Sequence, residues 1–305
     1  MRIQQLQYII KIVEVGSMSE AAKRLFITQP SLSNAVKDLE KEMKIQIFIR
    51  QPRGITLTSE GTEFLAYARQ VVEQADLLIE RYTKTQIKRQ LFAVSAQHYA
   101  FVVNAFVRLL KDYDMSQYEL TLRETRTFEI IEDVKNFRSE IGVLYLNDFN
   151  RDVLTKLFDD NQLRFTSLFT TSPYVFVSTT SPLAAKSSVT LADLEDFPYL
   201  SYEQGVNNSF YFAEEILSTI KHRQSIVVSD RATLFNLLIG LDGYTISTGI
   251  LNSDLNGDNI IAIPLEIDEQ IEIGYITHLQ SKSSKMAESF LLELKKIIEN
   301  EGLDS

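Results

Sequence analysis

A run of short hydrogen-bonding side chains lies at the start of a predicted helix in FITQPSLSNAVKDLE, residues 26–40. Asn and Gln amides can pair bidentately with adenine, and Ser and Thr hydroxyls can bond to base edges or phosphates. A helix N-terminus also favours a phosphate, because its first N–H groups have no partner within the helix. These residues predict a DNA-reading helix; the alternative is a solvated helix face with ordinary capping. The side chains expected at the DNA are Gln29, Pro30, Ser31, Ser33, Asn34 and Lys37.

The elements that position this cluster are predicted from local patterns. Residues 3–15 place apolar side chains on one helical face, and Gly16 ends that helix. Ser19 can cap a short second helix in EAAKRLF, and Thr28 can cap the third. The core face of the third helix is formed by Leu32, Val36, Leu39 and Met43.

The third helix is followed by two predicted short strands, in IQIFIRQPRGITL, residues 45–57. Arg50 and Arg53 make the hairpin basic, and Arg53 at its tip suits a phosphate or the minor groove. Three helices and a basic hairpin predict a winged helix-turn-helix over residues 1–58.

A long helix is predicted next, in a linker that spans residues 59–89. Its apolar residues recur at alternating spacings of four and three, which is the pattern of a coiled-coil seam. A lone helix of this length cannot bury such a seam, so we expect a partner helix in a second copy. The alternative is packing against its own chain. The seam consists of Phe64, Ala68, Val71, Ala75, Leu78 and Tyr82.

Residues 90–305 alternate short apolar strands with helices, which predicts α/β structure with largely parallel sheets. The length favours two similar lobes, one of about 90–165 and 266–305 and the other of about 166–265. The predicted strands are 91–95, 118–123, 141–146, 163–169, 174–178, 199–202, 225–228, 243–247, 260–264 and 271–277. The predicted helices are 100–113, 128–137, 209–221, 231–241 and 284–299.

Charge and composition narrow the function classes. Residues 1–89 hold 14 Lys and Arg against 10 Asp and Glu, whereas the rest of the chain holds 17 against 31. A basic N-terminal unit on an acidic body is compatible with specific nucleic-acid binding. No run approaches the ~20 apolar residues of a membrane span, so we expect a cytoplasmic protein without a membrane partner.

Catalysis and metal binding are not expected. The chain has no Cys and three widely separated His residues, and it has no Gly-rich phosphate loop or GxSxG motif. We therefore predict no enzyme activity, no catalytic residues, no metal site and no cofactor.

Residues 16–61 resemble the N-terminal signature of the LysR-type transcriptional regulators almost position by position. Two departures are Lys44, where that family usually has a Gly after the recognition helix, and Asn34, where Arg is common. The matching positions are Ala21, Ala22, Leu25, Gln29, Pro30, Ser33, Leu39, Glu40, Phe48, Arg50, Leu57, Thr58 and Gly61.

The resemblance implies a two-lobed effector domain like the periplasmic binding proteins, with a small molecule in the cleft between the lobes. Arg126 or a helix N-terminus would bind a carboxylate, and Glu124 or Glu203 an ammonium group. Ser, Thr and Asp at such places are also ordinary helix caps, which stays the alternative for each. The implied site residues are Ser95, Gln97, His98, Glu124, Thr125, Arg126, Thr127, Tyr202, Glu203, Ser229, Asp230 and Thr233.

Segments such as VSAQHYAFVVNAF and DVKNFRSEIGVLYLND are similar to the streptococcal branch that regulates methionine uptake and synthesis. This implies a sulfur amino acid or a precursor as the effector, promoter DNA and RNA polymerase as partners, and a homodimer or homotetramer. Two alternatives stay open. One is a regulator of other genes, such as cell-envelope or capsule genes, and the other is a small-molecule binding protein that does not contact DNA.

Overall fold

The computed structural model describes residues 1–51, 54–83, 90–112, 118–207, 209–251 and 257–303. The chain divides into two compact units, Met1–Lys88 and Arg89–Ser305.

The first unit is a winged helix-turn-helix followed by a long helix, as predicted. The two strands pair antiparallel, with Phe48 opposite Leu57. The elements are α1 (Ile3–Val15), α2 (Met18–Arg24), α3 (Gln29–Met43), β1 (Phe48–Gln51), β2 (Gly54–Leu57) and α4 (Ser59–Thr83).

The helix boundaries follow from capping residues. Gly16 ends α1 with φ 67°, and the Thr28 hydroxyl accepts a hydrogen bond from the Ser31 N–H at the start of α3. The prediction that Ser19 caps α2 is wrong. Ser17 is the cap, because its hydroxyl accepts from the Glu20 N–H. Lys44 ends α3 with φ 57°, the left-handed conformation that a Gly adopts without strain.

Two close contacts attach the wing to α3 and α4. One carboxylate oxygen of Glu40 accepts the backbone N–H groups of Ile47 at 2.8 Å and Phe48 at 3.1 Å. Gly61 lies so near the Ile47 carbonyl that a Cβ on it would be 2.1 Å from that oxygen. Glu40 and Gly61 therefore fix the chain between α3 and the wing.

The second unit contains two five-stranded mixed sheets. Lobe I has the order β4-β3-β5-β12-β6, and lobe II has the order β11-β7-β10-β8-β9. In each sheet four strands run in the same direction, and one strand, β12 in lobe I and β7 in lobe II, runs antiparallel to them. The expectation of largely parallel sheets therefore holds for strand direction, although two of the four pairings in each sheet are antiparallel. The strands are β3 (Gln90–Ala96), β4 (Tyr118–Glu124), β5 (Ile141–Leu146), β6 (Leu163–Thr171), β7 (Tyr174–Ser178), β8 (Tyr199–Tyr202), β9 (Ser225–Val228), β10 (Tyr244–Ser247), β11 (Ile260–Pro264) and β12 (Ile271–His278).

Helices cover these sheets, and one cluster of buried apolar side chains runs through both lobes. It extends from Phe101 and Phe290 in lobe I to Val175 and Ile246 in lobe II. The helices are α5 (Ala100–Asp112), α6 (Thr127–Lys135), α7 (Arg151–Asp160), α8 (Arg231–Leu241) and α9 (Lys285–Asn300).

Three details of the second unit differ from the sequence predictions. The helix predicted over residues 209–221 is absent from the described part of that segment, which has one 3₁₀ turn at Phe210–Phe212. The sequence pattern missed α7. β6 pairs with β12 up to Thr171, so the chain leaves lobe I later than the predicted crossover at about residue 165.

Candidate nucleic-acid interface and interlobe cleft

The N-terminal end of α3 presents a polar outer edge. Gln29, Pro30, Asn34 and Lys37 are exposed, whereas the apolar positions of the helix face the core of the unit. Their exposure follows from the helical period, which turns every third or fourth residue inward. This edge can donate and accept hydrogen bonds and supplies one cationic side chain.

Two serines of the predicted cluster have structural contacts. The Ser31 hydroxyl lies 2.8 Å from the Thr28 hydroxyl and takes part in the helix cap. Ser33 is only 8% exposed, on the inner side of α3. The structure therefore brings part of the predicted cluster to the outer edge and puts Ser33 against the core.

The wing arginines are described only in part. Arg50 lies in β1, but its side chain lies outside the described residues, as does Arg53 entirely.

The apolar seam predicted on α4 has a buried part near the start of the helix and an exposed part farther along. Phe64 and Ala68 pack against the core of their own unit, as the alternative interpretation has it. Farther along, Val71 is 43% exposed and Leu78 is 60% exposed, with the half-buried Ala75 between them. The side chain of Tyr82 lies outside the described residues. Tyr67, which the sequence pattern did not select, is also exposed one turn before Val71.

Lobe I contributes a buried amide network at the ends of β3 and β5. The Gln97 Nε2 donates to the Thr127 hydroxyl at 2.6 Å, and its Oε1 accepts from the Tyr99 hydroxyl at 2.8 Å and the Tyr145 N–H at 3.1 Å. Gln97 and Thr127 are almost completely buried. They fix the N-terminus of α6 at the edge of the cleft. Ser95 instead bonds to Asp133 and Ser139 at 2.7 Å, away from the cleft cavity.

A histidine of lobe I meets a glutamate and a tyrosine of lobe II. The His98 Nδ1 lies 2.8 Å from the Glu214 carboxylate, which also accepts the His98 N–H at 3.0 Å. The imidazole stacks on the Tyr202 ring with centroids 4.0 Å apart. Glu214 is not among the residues that the sequence predicts for the cleft, because the surrounding segment is predicted to form a helix.

Two ion pairs also cross the cleft. Arg126 of lobe I pairs with the Glu203 carboxylate of lobe II and donates to the Glu203 carbonyl at 3.2 Å. Gly205, with φ +63°, makes room for this guanidinium, since a Cβ there would lie 2.7 Å from its Nη1. Arg231 of lobe II donates to both carboxylate oxygens of Glu124, at 3.0 and 3.4 Å. The charged groups predicted to bind a zwitterion are thus brought together, and they pair with one another.

The remaining predicted cleft residues have local contacts. Asp230 caps α8 by accepting the Thr233 N–H at 2.8 Å and its hydroxyl at 2.7 Å, and these bonds lower the pKa of Asp230. The Thr125 N–H donates to the Ala96 carbonyl, and Ser229 is exposed at the end of β9. These contacts fit the capping interpretation for Asp230 and Thr233.

The cavity between the lobes holds about 30 Å³, which is room for one water molecule. Glu215 is buried in its wall, where one oxygen accepts the Tyr202 N–H at 2.9 Å. Burial, and secondarily the Glu214 carboxylate, raise the pKa of Glu215. The cavity is lined by His98, Tyr99, Ala100, Phe176, Tyr202, Glu214, Glu215, Arg231, Leu234, Phe235, Thr245, Ile246, Ser247, Thr248 and Ile250.

Within the described ranges, no group of three or more His, Asp or Glu side chains could hold a metal ion. None of the helices described is long and apolar enough to cross a membrane.

Two family models match this chain. The bacterial regulatory helix-turn-helix protein, lysR family, matches residues 3–62, and the LysR substrate binding domain matches residues 89–297. The second match alone covers more than half of the chain.

Curated relatives are transcriptional regulators and not enzymes. The uncharacterized HTH-type transcriptional regulator YvbU of Bacillus subtilis (strain 168) is 25% identical over 214 residues, 69% of each chain. The nitrogen assimilation regulatory protein nac of Klebsiella aerogenes is 41% identical over 88 residues, 28% of this chain and 29% of that protein. Its Escherichia coli (strain K12) namesake is 28% identical over 198 residues, 65% of this chain and 57% of that protein. The matches thus span less than two thirds of both nac proteins.

Solved structures show the same fold. The Corynebacterium glutamicum OxyR C206 mutant aligns over 98% of this chain and 94% of its own, with a TM-score of 0.55 and 17% sequence identity.

Proposed function

This chain belongs to the LysR family of DNA-binding transcriptional regulators with an effector-binding domain, and we propose that the N-terminal end of α3 reads its promoter DNA. The observation that carries this proposal is the polar outer edge formed by Gln29, Asn34 and Lys37. Amides at this edge suit adenine in the major groove, and the ammonium of Lys37 suits a flanking phosphate. The protein would act in the cytoplasm, where the bacterial chromosome lies.

Salt titration of promoter binding tests this proposal. Lys37→Ala is expected to reduce the salt slope by about one and to weaken all sequences alike, whereas Gln29→Ala is expected to relax sequence preference. Lys186→Ala removes the same charge from lobe II and is the matched control. If Lys37→Ala and Gln29→Ala both bind as the wild type does, α3 is not the reading element.

We further propose that a small-molecule effector binds between the lobes. The paired charges of Arg126 with Glu203 and Arg231 with Glu124 support a zwitterionic ligand, since they supply both signs at one site. The cavity of about 30 Å³ has room for about one water molecule, so this ligand would part the lobes and replace one of these pairs with two pairs of its own.

We propose sulfur amino acids or their precursors as effectors, and methionine uptake and synthesis genes as the targets. Support comes from the resemblance of segments such as VSAQHYAFVVNAF to regulators of that pathway. A thermal melt against a panel of these compounds tests it. A ligand at 100 times its Kd contributes about 2.7 kcal/mol, which gives a clear shift.

The melt has two informative controls. Arg126→Ala is expected to abolish the shift, whereas Arg164→Ala, an exposed arginine on β6, is expected to retain it. A full panel without any shift would remove the sulfur amino acid assignment and favour a regulator of other genes, such as envelope or capsule genes. A chain that binds ligand but no DNA would be a small-molecule binding protein.

We propose that α4 associates with α4 of a second copy, giving a homodimer that can pair into a tetramer and contact RNA polymerase at the promoter. The exposed stripe of Tyr67, Val71 and Leu78 supports the dimer, because an exposed helix does not gain from apolar residues at such spacing. Leu78→Asp is expected to yield monomers by light scattering. Leu292→Asp, at an exposed leucine of α9, is the control. An unchanged mass for Leu78→Asp would contradict this interface.

A further inference from the structure

The turn between α2 and α3 exposes a large aromatic side chain. Phe26 is 96% exposed, while its neighbours Leu25 and Ile27 pack against the core of the unit. Its backbone is also left-handed, with φ 57°. An exposed aromatic in a left-handed conformation is unfavourable for two separate reasons, namely hydration of the ring and crowding of Cβ.

The backbone of the turn does not require a phenylalanine. The Phe26 N–H donates to the Lys23 carbonyl at 3.1 Å, and the Ile27 N–H donates to the Ala22 carbonyl at 3.0 Å. These bonds close the C-terminal end of α2, at a position where Gly or Asn is the usual residue. A Gly would make both bonds without strain, so the ring itself needs another explanation.

The position of Phe26 in the chain, next to the N-terminal end of α3, offers an explanation for the exposed ring. Phe26 lies two residues before Thr28, the cap of α3, and three before Gln29, the first residue of the reading edge. In helix-turn-helix proteins the N-terminal residues of the second helix contact base edges. A side chain that leaves the turn at this end is therefore adjacent to the base edges that α3 would read.

We propose that Phe26 is a specificity-determining residue that contacts a thymine methyl group in the major groove of the operator. The inference rests on the proposed DNA-reading function of α3. The thymine methyl is the apolar group that a base pair displays in the major groove, and a phenylalanine ring can contact it. Burying both groups at the interface removes apolar surface of each from water.

The proposal is tested with operator DNA that the full-length wild-type protein selects from a random pool. Each thymine of that operator is replaced in turn by deoxyuridine, which removes only the methyl group. At the contacted thymine the wild type is expected to lose roughly fourfold in affinity, the value of one buried methyl-sized group. Phe26→Ala is expected to bind the unmodified operator several-fold more weakly and to be indifferent to deoxyuridine at that position.

Two variants separate this contact from general effects. Phe137 has the same backbone strain, with φ 56°, and is 60% exposed in lobe I, so Phe137→Ala should bind the operator as the wild type does. Phe26→Gly should raise the melting temperature by relieving strain and still bind the operator weakly, which excludes unfolding as the cause.

The outcomes are distinguishable. Wild-type affinity in Phe26→Ala would overturn the inference and leave the proposed function standing. A weakened Phe26→Ala that remains as sensitive to deoxyuridine as the wild type would also overturn it, because the ring would then contact sugar or phosphate. If the wild type selects no sequence, the proposed function fails and the inference fails with it.

Discussion

Removing the Glu40 carboxylate is expected to release the wing from α3. One of its oxygens accepts the N–H groups of Ile47 and Phe48, and Ile47 is completely buried. An N–H that loses its partner in a buried site costs about 1–3 kcal/mol. Both bonds are only partly shielded from water, so we take the lower end, about 1 kcal/mol for each N–H. With two N–H groups affected, Glu40→Ala is expected to destabilise this segment by about 2 kcal/mol.

Amide hydrogen exchange measures this effect locally. About 2 kcal/mol corresponds to roughly 30-fold faster exchange at Ile47 and Phe48, because 1.36 kcal/mol is a factor of ten. Glu42→Ala removes an exposed carboxylate from the same helix, one that pairs with the Met1 amino group, and should change stability by less than about 0.5 kcal/mol. Glu40→Gln keeps an acceptor oxygen and should fall between the two.

The result that refutes this reasoning is a Glu40→Ala variant whose exchange at Ile47 and Phe48 matches that of Glu42→Ala. The wing would then be held by its packing alone. Operator affinity gives a second readout, since a displaced wing should weaken binding in Glu40→Ala but not in Glu42→Ala.

Three further predictions concern stability. Gly61→Ala should lower stability by about 1–3 kcal/mol in a urea titration, because its Cβ would meet the Ile47 carbonyl. In the same titration Gly240→Ala should raise stability by about 0.5–1 kcal/mol, because a Cβ at this position in α8 meets nothing within 4 Å. Lys44→Gly should increase the free energy of unfolding of the first unit by up to about 1 kcal/mol, because Gly adopts φ 57° without strain. The thermal midpoint should rise accordingly, and an unchanged midpoint would show that the strain is negligible. Burial lowers the pKa of His222 in the folded protein. As the pH falls, this imidazole is therefore protonated more readily in the unfolded chain than in the folded protein, and stability should decrease below about pH 6.5. Urea midpoints at about pH 7.5 and pH 5.5 measure this decrease, and a His222→Phe variant with the same decrease would assign it to another group.

The first unit could be predicted closely because its signals are local. The cap at Thr28 and the stop at Gly16 each act within one helical turn of the residue concerned. The wrong prediction that Ser19 caps α2 also concerns a local signal. Ser17 and Ser19 are both residue types that can cap a helix, and only the bond from the Glu20 N–H identifies Ser17 as the cap. Capping residues therefore place helix ends to within about two residues.

The segment 209–221 shows where local signals fail. Its apolar residues have helical spacing, yet Leu217 adopts φ 59° and the Glu214 and Glu215 carboxylates turn inward to His98 and the Tyr202 N–H. These contacts join residues more than ten positions apart and outweigh helix propensity. A single-sequence pattern contains no information on such partners, so both glutamates were missed.

The one antiparallel strand of each sheet was not predictable, for a related reason. The alternation of strands and helices predicts parallel strands, and four of the five strands in each sheet do share one direction. The exceptions arise where the chain crosses from β6 to β7 and returns from β11 to β12. Strand β12 therefore enters lobe I antiparallel to β5 and β6. Whether a strand continues its own sheet or crosses to the other lobe depends on packing between distant residues.

The ion pairs across the cleft set conditions on any effector. Breaking either the Arg126–Glu203 or the Glu124–Arg231 pair leaves one cation and one anion, and most of these groups are partly shielded from water. A ligand with only one charge would satisfy one of them and leave its former partner unpaired, at a net cost. A zwitterion replaces one cross-lobe pair with two pairs of its own, one to each lobe.

A ligand can shift the lobes only by its difference in affinity for the closed and parted states. The cavity between the lobes has room for about one water, so the amino-acid effector proposed above would bind the parted state and would shift the equilibrium toward it. The stack of His98 on Tyr202 and the bond from His98 to Glu214 oppose this movement, because both contacts cross the cleft. Weakening these two contacts should raise the affinity for the effector. Glu214→Gln keeps an acceptor for the His98 N–H but removes the charge. This variant should therefore bind the effector more tightly than the wild type. Equal or weaker affinity in a melt or calorimetric titration of Glu214→Gln would mean that the effector itself uses the Glu214 carboxylate.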